Sequence, residues 1–118
     1  MTFDDLPMIE MLSAMDEAAL DGLPFGVVGL DGENMVELYN AHEERYSGLP
    51  RGIVVGRQFF FDVAPCMNNY MVAERLEEAA LDVTLPYVLT FRMRPTPVRL
   101  RLLRAFAAPR RWVLVARV

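Results

Sequence analysis

The sequence predicts an α+β domain: a five-stranded antiparallel sheet, helices packed on it and a small helical cap at the N-terminus. Two apolar stretches early in the chain and three in its last third have strand character, with period-two alternation in the last three. The residues between them have helical and turn character, which gives the order β-β-helices-β-β-β. At 118 residues we expect one domain, with a cap over residues 1–22 and a core over 23–118.

The cap is predicted from a short amphipathic pattern. Four apolar residues recur at the spacing of one helix face, with acidic residues between them: Met8, Met11, Leu12 and Met15. Gly22 ends the pattern. Such a stripe is typical of a helix that packs on its own domain. The alternative is a movable cap, because a short helix outside a sheet contributes little stability by itself.

The first two strands are predicted as a hairpin. An apolar run over 25–30 leads into a turn over 31–34, and the chain continues as a second strand over 35–39. Asn40 is then positioned to cap a short helix, with Glu43 three residues later in a looser form of the capping box.

The remaining elements are predicted from a cap signal and from alternation. Asn68 and Asn69 are candidate N-caps for a longer helix from about Tyr70 to Leu81. Three alternating stretches follow, over 87–93, 98–102 and 112–118. They predict antiparallel strands with one face on a core.

Composition excludes several classes of function. No run of about 18 apolar residues is present to span a membrane, and the acidic N-terminus lacks a secretory signal, so we expect a cytoplasmic protein. One cysteine, Cys66, and one histidine, His42, exclude a disulfide framework and a multi-cysteine metal site. Phosphate-loop, nucleophile-elbow, zinc-protease and dinucleotide motifs do not occur, which argues against a classical hydrolase, kinase or dinucleotide-binding enzyme.

Charge is unevenly distributed along the chain. The net charge of −4 argues against a nucleic-acid-binding protein. Residues 1–50 contain 11 acidic residues and one base, Arg45, whereas residues 83–118 contain eight arginines and no acid. We interpret this as attraction between the two halves of one domain, with a basic stripe for an outside partner as the alternative.

Cys66 is the one nucleophile with a distinctive context. Pro65 precedes it and a predicted helix follows, so the positive end of the helix dipole favours the thiolate. A thiolate is the form that accepts an acyl group. The alternative is a buried cysteine that acts as a small hydrophobe.

Three polar side chains are predicted to converge after the second strand. Tyr39 and Glu43 lie four residues apart across the strand-to-helix junction, and Ser47 lies one helical turn further on. Such a group can hold a buried anion, or it can keep Glu43 protonated by desolvation. The alternative is a solvated helix N-terminus in which Glu43 is only a capping residue.

Four stretches carry a resemblance to a known family. They are Leu20-Asp-Gly-Leu23 with Phe25-Gly26; Tyr39-Asn-Ala with Glu43 and Ser47-Gly48; Val55-Gly56 through Phe59-Phe60 to Asp62-Val-Ala-Pro-Cys66; and Met93-Arg-Pro-Thr96 with Trp112-Val113 and Arg117-Val118. On these residues the chain resembles the photoactive yellow protein family, blue-light receptors of the PAS fold. The resemblance runs essentially from end to end.

The resemblance implies a chromophore and a set of residues that hold it. p-Coumaric acid (4-hydroxycinnamic acid) would be joined to Cys66 as a thioester and bound as a phenolate. Tyr39 and a protonated Glu43 would hydrogen-bond its oxygen, and Ser47 would support Tyr39. Met93 would assist thermal recovery. Three further residues are expected at the pocket: Phe59, Leu49 and Phe91.

The sequence also departs from the family pattern. Leu49 stands where the family has an arginine over the chromophore, and Arg51 and Arg45 are nearby candidates to replace it. Phe91 stands where the family has a tyrosine, and the connection after Cys66 is shorter. These changes predict an altered colour or recovery rate, with attachment retained. Phe3 corresponds to an early phenylalanine of the family's cap.

The resemblance implies signalling without turnover of a substrate. Light isomerises the chromophore, Glu43 loses its proton and the cap over 1–22 unfolds to signal to an unidentified protein. Neither nucleic acid nor membrane is an expected partner. Two alternatives stay open, a chromophore-free PAS sensory or interaction module and a thiol redox sensor that uses Cys66.

Overall fold

The computed structural model describes residues 1–117, with residue 92 described by its backbone alone. Four short α-helices and five strands occur in that part of the chain. In order they are α1 (Met8–Ser13), α2 (Glu17–Asp21), β1 (Gly26–Leu30), β2 (Val36–Tyr39), α3 (Ala41–Ser47), α4 (Arg51–Val54), β3 (Leu81–Leu89), β4 (Thr96–Arg104) and β5 (Arg111–Arg117). No helix within these residues has the length and hydropathy needed to cross a bilayer.

The five strands form one antiparallel sheet. Their order across it is β2-β1-β5-β4-β3, so the N-terminal hairpin joins the C-terminal meander through the β1–β5 pair. Gly26 pairs with Val115 and Leu30 with Arg111 along that seam. The predicted five-stranded antiparallel α+β fold is confirmed.

The sheet carries a core cluster on each face, because neighbouring side chains of a strand point to opposite faces and both faces are packed over β1 and β5. Val28, Val113 and Val115 contribute to the core on the face covered by residues 54–76, which we call the site face. Val27, Trp112 and Leu114 contribute to the core on the opposite face, which we call the cap face. The residues 1–22 cap buries four apolar side chains there: Phe3, Met8, Leu12 and Leu20.

The attraction predicted between the acidic and basic halves is confirmed by ion pairs. Arg99 pairs with Asp4 at 2.9 Å, and Arg110 pairs with Glu37 at 3.1 Å. A third pair, from β5 to α3, lies in the functional site and is described below.

Arg101 departs from the predicted outward alternation of β4. It is buried on the cap face, where its guanidinium donates hydrogen bonds to the main-chain carbonyls of Phe3 and Asp5. The same guanidinium pairs with Asp82 of β3 at 2.8 Å. Arg101 therefore ties the start of the cap to the sheet.

Two predicted elements are wrong. Residues 70–81 do not form a helix; they make a series of turns with a single 3₁₀ turn at Arg75–Glu77. The predicted strand over 87–93 instead spans Leu81–Leu89, and Phe91–Met93 form a 3₁₀ turn. In the first segment the amides of Ala73 and Glu74 bond to the carbonyls of Met67 and Asn69, six and five residues earlier, in place of the four-residue bonds of an α-helix. In the second, a nine-residue ladder with β4 makes the chain a strand from Leu81 onward. Residue 118 of the predicted last strand lies outside the described residues.

Arg101→Met is expected to loosen the cap. The substitution leaves the Phe3 and Asp5 carbonyls without their donor and should destabilise the protein by about 2–3 kcal/mol. Hydrogen exchange of the amides of residues 1–22 should rise, and urea unfolding measures the stability. Arg99→Met is the matched control on the same strand, because its exposed pair with Asp4 contributes less than about 1 kcal/mol. Equal exchange in the two variants would contradict this role of Arg101.

Candidate functional site

Asn40 fixes the start of helix α3 against the sheet and the cap. Its side-chain oxygen accepts hydrogen bonds from the amide nitrogens of Val27, at 2.9 Å, and Glu43, at 3.1 Å. Its side-chain nitrogen donates to the carbonyls of Leu20 and Phe25. The predicted N-cap is confirmed. The reciprocal bond of a capping box does not form, because the Glu43 carboxylate turns inward.

Tyr39 and Ser47 meet in the interior, as predicted. The phenol oxygen and the Ser47 hydroxyl are 2.6 Å apart, and both residues are buried. Ser47 is the last residue of α3, and Gly48 ends the helix in the left-handed region at φ 76°. The Ser47 oxygen also accepts a hydrogen bond from the Leu49 amide. The end of α3 is thereby joined to the end of β2.

Glu43 is buried and paired with an arginine from the last strand. Its side chain is 2% exposed, and Arg117 donates to both carboxylate oxygens, at 2.6 and 3.1 Å. The interpretation of Glu43 as a solvated capping residue is therefore wrong. Gly26 of β1 makes room for the carboxylate, since a Cβ there would collide with the Glu43 Oε1 atom.

Burial controls the proton affinities of this group. Burial raises the pKa of the Glu43 carboxyl, and the hydrogen bond and charge of Arg117 lower it again by less. Burial and the nearby Glu43 raise the pKa of the Tyr39 phenol, against a lowering by the Ser47 hydrogen bond. Tyr39 therefore keeps its proton at neutral pH and can donate it in a hydrogen bond.

Cys66 is half-buried in a single 3₁₀ turn, Pro65–Met67. Its carbonyl accepts a short hydrogen bond from the Tyr87 hydroxyl and a longer one, 3.3 Å, from the Asn69 side chain. These contacts hold the main chain at the thiol. Because no α-helix follows Cys66, the argument that a helix dipole favours its thiolate is wrong.

One apolar cluster on the site face brings most of the predicted site residues together. Tyr39 and Phe59 are buried in it, and Leu49, Cys66 and Phe91 pack against it. A cavity of about 250 Å³ adjoins the group, lined by Tyr46, Ser47, Leu89, Phe91, Arg94, Thr96 and Arg117. A thiol, two buried oxygen groups and apolar walls suit an aromatic acyl group with a polar far end. Within residues 1–117, no three His, Cys, Asp or Glu side chains form a metal site.

Three side chains do not reach the site. Met93 is 94% exposed and has φ 58°, so its predicted part in thermal recovery has no support from its position. Arg51 pairs instead with Glu17 and Asp21 of the cap, and Arg45 is exposed. Neither arginine replaces the one that the family has at position 49.

Sequence reasoning gave three residues that the structure places here no part in the site. Arg117 had a signal: it alternates in step with Val113 and Val115, which face the core. Asn69 was predicted only as a helix cap, and neither its bond to Tyr87 nor the bond of Tyr87 to Cys66 had a signal, because both depend on how β3 lies against the turn at Cys66.

Comparisons with known proteins find relatives and solved structures that cover most of the chain. No protein-family model matches the chain. The photoactive yellow proteins of Rhodothalassium salexigens and Halochromatium salexigens are 32% and 33% identical to it over 111 residues, which is 91% of this chain and 89% of each relative.

Solved structures show the same fold. The photoactive yellow protein domain of the sensor histidine kinase Ppr from Rhodospirillum centenum superimposes with a TM-score of 0.84 at 33% identity, over 92% of this chain and 98% of that one. The PAS domain of an HTR-like protein from Haloarcula marismortui has a TM-score of 0.70 at 18% identity, over 92% of this chain and 99% of that one. The predicted PAS fold is confirmed.

Glu43→Gln is expected to change how stability depends on pH. A carboxyl whose pKa rises on folding stabilises the folded state fully below its unfolded pKa, and that contribution is lost as the pH rises through the folded pKa. The unfolding free energy of the wild type relative to E43Q should therefore fall as the pH rises above about 4, the pKa of an unfolded glutamate.

Urea unfolding at several pH values measures this difference. Glu33→Gln, in the exposed turn between β1 and β2, is the control and should follow the wild type. A wild-type advantage that grows with pH would contradict the raised pKa.

Proposed function

This chain belongs to the photoactive yellow protein family, and from that premise we propose that it is a blue-light receptor with p-coumaric acid joined to Cys66 as a thioester. The observation that carries the proposal is that Tyr39, whose phenol contacts the buried Ser47 hydroxyl, belongs to the apolar cluster against which Cys66 packs, with the buried Glu43 carboxyl on the helix that follows Tyr39. A donor phenol and a carboxyl of raised pKa suit an anionic oxygen.

Each residue of the site would hold a different part of the p-coumaric acid group. Cys66 would hold the acyl group through its sulfur, and Tyr39 and Glu43 would hold the phenolic oxygen, with Ser47 orienting Tyr39. Three apolar residues of the same cluster would form walls: Phe59, Leu49 and Phe91. When bound, the group supplies a double bond that light isomerises from trans to cis.

Glu43 is the residue that moves a proton. It holds the proton on its carboxyl while an anion lies beside it, and it releases that proton when the anion becomes a better base. The carboxylate left behind is buried, and a buried charge costs up to several kcal/mol to the extent that a partner such as Arg117 does not offset it. That cost is comparable with the whole stability of a small domain.

The cap is joined to the same helix that carries Glu43. Asn40 bonds to the Leu20 carbonyl, and the Asp21 carboxylate accepts a hydrogen bond from the Ala41 amide at 2.8 Å. A shift of α3 therefore breaks contacts of the cap first. Because α1 and α2 are single short helices, residues 1–22 are the segment expected to unfold.

Release of the cap exposes the apolar cap face for a signalling partner. The Rhodospirillum centenum relative is a domain of a sensor histidine kinase. For this chain we propose an unidentified signalling protein as partner, a cytoplasmic location and no enzymatic turnover.

The alternative is a PAS sensory or interaction module that carries no chromophore. Two observations favour it: Glu43 is engaged by Arg117, and Met93 lies outside the site. The two functions differ in whether Cys66 takes up an activated acyl group.

Reconstitution with activated p-coumaric acid is expected to give a yellow protein. The visible band should bleach after a blue flash and recover in the dark, and mass spectrometry should show one acyl group per chain. Cys66→Ser should stay colourless. Tyr39→Phe, which keeps the thiol but removes a hydrogen bond to the oxygen, should bind with a shifted band. A wild-type Cys66 that stays unmodified would favour the chromophore-free module.

Glu43→Gln is expected to remove the proton step from the loaded protein. Infrared difference spectra should lack the transient loss of a protonated carboxyl, and light should no longer raise hydrogen exchange in residues 1–22. Glu33→Gln in the exposed turn should behave as the wild type in both measurements. Persistence of the carboxyl band in E43Q would show that another residue is the donor.

A further inference from the structure

Arg117 is held in place by three sets of contacts. Its main chain lies in β5, paired with Val98 of β4. Its guanidinium lies 5.6 Å from the centre of the Tyr46 ring and donates to both oxygens of Glu43. The Arg117 side chain is 12% exposed, and it also lines the cavity beside Ser47. The positive charge of Arg117 therefore lies between the buried Glu43 carboxylate and this cavity.

The geometry of this pair favours the charged form of Glu43, against the effect of burial. A guanidinium has only donors, so each oxygen that it contacts must accept. A protonated carboxyl has a weaker acceptor at the oxygen that carries the proton, whereas a carboxylate accepts well at both oxygens. Two parallel hydrogen bonds from Arg117 therefore favour the carboxylate form of Glu43.

We propose that Arg117 is the counter-ion of Glu43: it pairs with the carboxylate whenever the proton is absent and thereby sets how readily Glu43 holds and releases that proton. Arg117 is a positioning residue in this sense, since it acts through Glu43.

The neighbouring side chains of Tyr39 and His42 do not supply a positive charge to the Glu43 carboxylate. Tyr39 stays a neutral phenol, and burial together with Arg117 and Arg45 lowers the pKa of His42, which keeps it neutral. Strand β1, beneath the carboxylate, carries no titratable side chain. The remaining titratable groups on α3 and at the cavity are Glu44, Arg45, Tyr46 and Arg94.

The proposal deepens the proposed function and rests on it for one consequence. Loss of the proton from Glu43 leaves a paired charge where it would otherwise leave an unpaired one. Because pairing lowers the cost of a buried carboxylate, Arg117 limits the energy available to release the cap. The strength of the pair between Arg117 and Glu43 then regulates how far the cap is released.

The test is a titration of Glu43 in the full chain without chromophore. Carbon-13 NMR of the side-chain carboxyls follows the protonation, with E43Q to assign the Glu43 signal. Arg117→Met should raise the Glu43 pKa by at least about one unit, because an opposite charge at this distance lowers a carboxyl pKa by about 1–3 units. Arg117→Lys, which restores the charge without the two-oxygen contact, should recover part of the shift.

Arg110→Met is the matched control. Arg110 also pairs with a glutamate, Glu37, and lies 5.5 Å from the centre of the Trp112 ring, but its pair is exposed. It should leave the Glu43 pKa within about 0.3 units of the wild type. If the methionine variant does not fold, Arg117→Gln, which keeps an amide donor and loses the charge, is judged by the same criterion.

The outcomes separate this proposal from the proposed function. A Glu43 pKa that stays within about 0.3 units of the wild type in the neutral variants would overturn the counter-ion role, whether or not the protein binds a chromophore. A Cys66 that takes up no acyl group would overturn the photoreceptor function and leave the titration result standing.

Discussion

A carboxyl group buried between helix α3 and the sheet is the constraint on which the rest of the site depends. Glu43 is 2% exposed, and each neighbour accommodates it differently. Gly26 leaves space for the Glu43 carboxylate oxygens, and the Asn40 side chain caps helix α3 at the Glu43 amide. Arg117 offsets the charge of the carboxylate. Because desolvation favours the neutral form and the arginine favours the charged form, modest changes in the site can move the proton.

The position of this carboxyl also links the site to the cap. Asn40 contacts strand β1, helix α3 and the Leu20 carbonyl of the cap with one side chain. Arg51, which follows α3, pairs with Glu17 and Asp21 of α2. The cap is thus held from the site side by polar contacts and from the sheet side by Arg101 and apolar packing. Contacts of this kind break locally at a cost below that of unfolding the domain.

Local signals predicted the elements whose partners lie nearby in the chain. The hairpin of β1 and β2, the Asn40 cap and the contact of Tyr39 with Ser47 all join residues within about one turn or one strand pair. The helix predicted over 70–81 was wrong because the amides of Ala73 and Glu74 bond back to Met67 and Asn69, six and five residues earlier, in place of the four-residue bonds of an α-helix. Met93 was placed at the site by resemblance alone, and the turn after β3 leaves it exposed.

The sequence by itself determined the antiparallel α+β sheet, the short-helix cap and the convergence of Tyr39, Glu43 and Ser47, because periodicity and capping act over a few residues. It also carried the resemblance that pointed to Cys66. Only the tertiary structure decided the partner of Glu43, since Arg117 lies 74 residues away along the chain. The β1–β5 seam brings the two together, and the charge state of the site follows from that contact.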